Sequence, residues 1–141
     1  AKGIVKPGED YDRVADELTA KLLALTDPVT GARVVSAVYR KKDVFWGPYL
    51  DSAPDLQVGF ADGYRVSWQT SLGGSPPGLV YPNMRKWSGD HCSFDYVTIP
   101  GALISGRRLA SSDPRIIDMA PTVLKYFGVP IPKDMDGKPL F

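Results

Sequence analysis

Between Trp87 and Asp95 the chain reads Trp-Ser-Gly-Asp-His-Cys-Ser-Phe-Asp, and this is the one stretch where residues able to bind a cation gather. Asp90, His91, Cys92 and Asp95 each offer a donor that suits a divalent metal: carboxylate oxygen, imidazole nitrogen or thiolate sulfur. Their spacing is too tight for a complete tetrahedral set. Neighbouring side chains diverge, and zinc sites draw their ligands from two or more segments. The chain has a single His and a single Cys, so any further ligand is a distant Asp or Glu, or a residue outside this chain. Two readings of His91 stand open on these residues: a hydrogen-bonded loop histidine, or one ligand of a larger site. Cys92 reads as a small apolar residue.

Other catalytic templates are missing. Ser, His and Asp all occur, but no G-x-S-x-G elbow presents a nucleophile. Gly73-Gly74 runs into Ser-Pro-Pro rather than Gly-Lys-Ser/Thr, and G-x-G-x-x-G is absent. Asp134-Met135-Asp136-Gly137 lacks the register and the terminal Glu of a calcium loop and reads as a turn. Trp46, Trp68 and Trp87 could line a ligand cleft, although packing is the expectation for at least two of them. Arg40, Lys41 and Lys42 form a short basic cluster that reads as a solvated strand end. Arg40, Lys41, Asn83 and Trp87 are further candidates to face a substrate, with no motif behind them.

The elements that must position these residues follow from periodicity. Tyr11, Val14, Leu18, Leu22 and Leu25 form one apolar stripe, predicting a helix from about Tyr11 to Leu25 that Asp27-Pro28 stops. The β-branched run from Ala32 to Tyr39 reads as a strand. Leu56–Phe60 and Tyr64–Gln69 read as two strands of a hairpin around Ala61-Asp62-Gly63. Glycine and proline crowd the stretch from Ser71 to Asn83, where no regular element fits. Tyr96–Ser105 reads as a buried strand bent at Pro100-Gly101. The last element is a helix opening near Ser112 to Pro114, with Asp118 as a second start before Pro121 and Gly128 as its stop. Alternating strands and helices predict an α/β fold, here a single domain over residues 1–141.

Composition narrows the function classes. At 43% hydrophobic and 23% charged, 141 residues can bury about two thirds of their unfolded surface. A formal charge of +1 leaves no nucleic-acid footprint. No apolar run reaches the roughly 18 residues of a membrane span. The opening AKGIVKPGED carries no readable export address, so the compartment stays open with a cytoplasmic one favoured. The 14 glycines and 13 prolines are dispersed, which predicts many turns rather than a fibrous repeat.

The C-terminal third, GDHCSFDYVTIPGALISG and then IIDMAPTVLKYFGVPIPKDMDGKPLF, resembles the end of an alkaline phosphatase superfamily enzyme. The similar branch is that of type I phosphodiesterases, nucleotide pyrophosphatases and predicted phosphohydrolases or phosphomutases. There a late histidine precedes an apolar strand, a D-x-x-P-T-x-L helix follows, and G-x-P and D-G-x-x-L close the chain. The central APDLQVGF and GYRVSWQTSLGG segments resemble the same branch.

This resemblance implies the C-terminal part of a three-layer α/β/α sandwich. It implies that His91 ligates one of two divalent metals, usually zinc. Asp90 and Asp95 flank it and are candidates to orient the imidazole from behind, as carboxylates commonly do. The family's Thr or Ser nucleophile, its D-x-x-x-H pair and its adjacent Asp-His pair have no counterpart here. Two cations about 4 Å apart would serve the reaction, and one histidine cannot hold them. The expectation is therefore the C-terminal portion of a longer phosphohydrolase, inactive alone, its substrate a phosphate ester or nucleotide-like molecule and its partner the missing N-terminal part. The competing expectation is a stand-alone ligand- or protein-binding α/β module without catalysis.

Overall fold

The computed structural model describes residues 3–84, 86 and 95–141. The chain divides into two compact units, Ala1–Pro100 and Gly101–Phe141. Both helices and a small two-stranded sheet are present, a mixed α/β composition.

In the first unit, helix α1 spans Glu9–Leu23. Glu9, Asp10 and Asp12 in its first turn and Lys21 in its last match the helix dipole. Gly8 begins it at φ 91°, a left-handed conformation that glycine adopts without a Cβ penalty. Beyond α1, Asp27 accepts hydrogen bonds from the N–H groups of Val29 and Thr30 and from the Tyr64 hydroxyl, at 2.8, 3.2 and 2.9 Å. That carboxylate turns the chain toward strand β1, Val35–Arg40, whose first residue is fully buried. Arg40 ends the strand, and Lys41–Val44 form the single-turn helix α2.

Strand β2, Leu56–Phe60, pairs with β1 in antiparallel register: Val38 lies opposite Val58, and Arg40 opposite Leu56. Between Val35 and Ala37 the register slips by one residue, which makes Ser36 the extra residue of a bulge. The expected hairpin partner of β2, Tyr64–Gln69, is not a strand. The Tyr64 N–H donates to the Ala61 carbonyl, and the Ser67 hydroxyl accepts from the Gln69 N–H at 3.2 Å. That bond opens a short helix α3, Trp68–Ser71, and the local cap overrides the β-favouring residues.

The expected strand Tyr96–Ser105 is also absent. Val97 N–H is taken by the Asp95 carboxylate, and Thr98 N–H and its hydroxyl both donate to the Asp95 carbonyl. With those donors satisfied in a turn, no strand ladder can use them. Instead of being buried, Tyr96, Val97, Ile99 and Ile104 are exposed.

The second unit is built around helix α4, Met119–Tyr126, entered through a 3-10 turn at Ile116–Asp118. Pro121 falls in the first turn, where its missing N–H costs nothing, and it is fully buried. Gly128 follows at φ 67° and ends the helix. The expected cap at Asp118 takes a different form. Its carboxylate does not bond to the N–H groups of α4. It accepts from the Arg115 N–H at 2.9 Å and from the Lys138 N–H at 2.8 Å. Thr122, one turn on, accepts from the Leu140 N–H at 2.9 Å and donates to the Asp118 carbonyl. The Leu140 carbonyl in turn receives the Ala110 N–H. Tail and helix are thus one hydrogen-bonded body, closed over the buried Leu140.

Candidate functional site

Of the predicted site residues, Asp95 is described in the structure. His91 and Asp90 lie outside the described residues, as do Trp87 and Cys92. Asp95 is only 4% exposed, and its surroundings explain how a carboxylate can sit there. Oδ1 accepts from the Tyr39 hydroxyl at 2.8 Å and from the Val97 N–H at 3.1 Å. Oδ2 accepts from the Ser36 hydroxyl at 2.8 Å. The Ser36 oxygen also lies 3.0 Å from the Gly59 carbonyl. A hydroxyl has one proton, and the charged carboxylate is the stronger acceptor for it.

The bulge in β1 makes this seat possible. In a regular strand, residues three apart face opposite sides of the sheet. The extra residue re-aims Ser36, so that Ser36 and Tyr39 both reach one carboxylate. Gly59 completes the seat. A Cβ there would stand 2.9 Å from the Asp95 Cβ and Cγ, closer than carbon atoms approach. Glycine inside a strand pattern signals such a close approach, so Gly59 was legible in principle. Ser36, set in a run of valines, gave no comparable signal.

Burial alone would raise the Asp95 pKa. The hydrogen bonds from Tyr39, Val97 and Ser36 outweigh it and hold the carboxyl below its ordinary value, ionised at neutral pH. The same bond pushes Tyr39 up to about 12, because losing its proton would leave two facing anions. Among the described residues, donors fill three of the four lone-pair directions of Asp95, two on Oδ1 and one on Oδ2. Among the described residues, no three His, Cys, Asp or Glu side chains come together as a cation would require. The described residues do not by themselves make up a metal centre.

Two members of the basic cluster, Arg40 and Lys41, are paired inside the protein, and Lys42 is exposed. Arg40 donates to the carboxylates of Asp12, at 2.9 Å, and Asp16, both on α1. Lys41 pairs with Asp55 at 2.8 Å, an acceptor it shares with the Tyr11 hydroxyl. These guanidinium and ammonium groups brace α1 and the end of β2 against β1. Packing was the expectation for at least two of the three tryptophans, yet Trp46 and Trp68 are both exposed. Asn83 is exposed as well.

Among the described residues, no helix is long and apolar enough to cross a membrane. Comparison of the chain with protein-family models, curated proteins and solved structures gives no match.

Proposed function

We propose that this chain is the C-terminal portion of a metal-dependent phosphohydrolase of the alkaline phosphatase superfamily, in the phosphodiesterase and nucleotide pyrophosphatase branch. The observation that carries the reading is the hydrogen-bonded union of helix and tail in the second unit. Asp118 and Thr122 come from the D-x-x-P-T-x-L segment, and the Lys138 and Leu140 N–H groups they hold come from the D-G-x-x-L segment. A Cβ on Gly137, the glycine of that tail, would stand 2.0 Å from the Ile117 carbonyl oxygen. Each motif needs the other's residues, which gives their joint occurrence a physical cause rather than chance.

Two further observations support the reading. Asp95 fixes to the sheet the end of the stretch that bears His91. Val97, Ile99 and Ile104 are apolar and exposed, as residues that pack against a larger body would be without it. In this reading His91 is one zinc ligand, Asp90 and Asp95 support it, and the nucleophile and other ligands lie in residues upstream of this chain. The reaction is cleavage of a phosphate ester through a covalent Thr or Ser intermediate.

Zinc titrated into the 141 residues by calorimetry should bind weakly and lose that binding in His91→Ala; tight stoichiometric zinc would contradict the reading. A bis-aryl phosphate should be untouched by this chain and hydrolysed by a polypeptide that continues upstream. Sustained turnover by the 141 residues, or none by the longer protein, would overturn it.

A further inference from the structure

Four aromatic side chains, Tyr39, Phe45, Trp46 and Tyr96, line a cleft of about 620 Å³ in the first unit, together with Asp43 and Asp95. Its volume falls within the roughly 300–1,000 Å³ of small-molecule sites. The Tyr39 and Tyr96 rings stand 5.0 Å apart and tilted by 42°, forming a corner rather than a stack. Trp46 is 65% exposed and Tyr96 59%, so large ring surfaces face water here. Among the described lining residues the ionisable acids are both carboxylates, and there is no Lys, Arg or His. Lys41, at the start of α2, is paired with Asp55 instead.

Ring faces carry the negative lobe of the aromatic quadrupole, and two carboxylates add to it. Among the described residues the cleft is therefore negative and apolar together, with no cation to neutralise it. That combination selects among cations. A primary ammonium entering it would give up three hydrogen bonds to water, and ring faces return none of comparable strength. Asp95 can offer at most one lone pair, because described donors already use three, and at the exposed Asp43 water competes for the carboxylate. Asp95 contributes charge without much hydrogen-bonding capacity. A quaternary ammonium has no N–H to satisfy, and its methyl groups suit the aromatic walls.

We propose that this cleft is a binding site for a quaternary-ammonium group, held by the Trp46, Tyr39 and Tyr96 rings and by the charges of Asp43 and Asp95. The site shares Asp95 with the hydrolase reading, but choline binding requires neither zinc nor His91, so the two can fail separately. The test titrates choline into the full chain, followed by NMR, against 3,3-dimethyl-1-butanol, its neutral isostere. Choline should saturate, with the isostere weaker by about tenfold. Trp46→Leu, which keeps an apolar side chain and removes the ring, should weaken choline by about tenfold, and Asp43→Asn by about threefold. Trp46 and Asp43 are exposed, so both variants should keep the parent's amide spectrum away from the cleft. Equal binding of the isostere, a failure of choline to saturate, or unchanged affinity in Trp46→Leu would overturn the proposal.

Discussion

Among the described residues each unit holds one buried carboxylate, and the two are satisfied in opposite ways. Asp118 accepts from two backbone N–H groups, those of Arg115 and Lys138. Asp95 accepts from one backbone N–H and from two side-chain hydroxyls, on Ser36 and Tyr39. Backbone donors are present in almost any sequence, so the Asp118 junction demands mainly that the chain come close enough. Gly137 supplies that closeness. The Asp95 junction demands particular side chains at particular registers, with Gly59 as its own requirement for approach. One carboxylate is held by geometry and the other by chemistry.

The sharpest way to break the comparison is to remove the approach itself. Gly137→Ala puts a Cβ against the Ile117 carbonyl, a backbone atom that cannot swing aside. The cost should be about 3 kcal/mol, the upper end for overpacking, and confined to the second unit. Amide hydrogen exchange should show protection lost over α4 and the tail while β1 and β2 keep theirs. Gly59→Ala is the milder counterpart, because the atoms it meets belong to a side chain.

Next come the hydrogen bonds. Thr122→Val keeps the shape of a 3%-exposed side chain and strands the buried Leu140 N–H, which should cost about 1–3 kcal/mol. Asp95→Asn keeps one acceptor oxygen and turns an amide N–H₂ toward Ser36, which can accept it by donating its own proton to the Gly59 carbonyl 3.0 Å away. What is lost is the charge of the acceptor, for a cost toward the lower end of the same range. The pair differ in how they couple to their partners. Ser36→Ala alone leaves an Asp95 oxygen short of a donor. Added to Asp95→Asn, it should bring the total to less than the sum of the two single losses, whereas the Leu140 N–H is removed only by proline, which would take the buried leucine side chain with it. Urea denaturation of the double variant checks this; additive losses would mean that Ser36 and Asp95 are not coupled.

The same contrast explains what the sequence could tell. Helix α1, strand β1 and helix α4 were legible because an apolar stripe, a β-branched run and the Pro121 and Gly128 punctuation are local signals. Asp118 was legible as a helix-start residue, since that preference is also local. The tail N–H that it holds lies 20 residues on and has no side-chain signature. For Asp95, flanking His91 suggested a role behind the imidazole. Its observed partners sit 56 and 59 residues earlier and depend on a one-residue bulge that no periodicity announces. Tyr64–Gln69 and Tyr96–Ser105 were misread for a related reason. Both have strand-forming residues, but Ser67, Asp95 and Thr98 divert the backbone N–H groups into local turns.

Acid should affect both junctions with the same sign. Asp95 and Asp118 are each held below the ordinary value of 3.8, Asp95 by its three hydrogen bonds against burial and Asp118 chiefly by the Lys138 and Arg115 N–H groups. A folded carboxyl with a depressed pKa stabilises the fold fully above its unfolded value, and the stabilisation is lost as pH falls through the folded one. Both units should therefore weaken below pH 3.8, toward the lower folded values. Asp95→Asn should remove its share in the first unit alone. The pH dependence carried there by Asp27 and Asp55, also depressed, would remain. Thermal melts across that pH range, read by near-ultraviolet dichroism, follow the loss. An unchanged slope in Asp95→Asn would mean the carboxylate is no better held than in the unfolded chain.

The smallest effect should come from the carboxylates that Arg40 engages. Asp12 and Asp16 are 58% and 76% exposed on their side chains, so water screens each pair and their attraction competes with the entropy of holding long side chains still. Asp16→Asn should shift the melting temperature less than any variant above, and in about 1 M salt, where the screening length falls to roughly 3 Å, the shift should vanish. Salt should leave the Thr122→Val loss intact, because no ion reaches a buried N–H. If Asp16→Asn instead kept its effect in high salt, Arg40 would be acting as part of the core rather than as a surface brace. The distinction between buried carboxylates held by donors and exposed ones held by charge would then have to be redrawn around the guanidinium, which is itself 18% exposed.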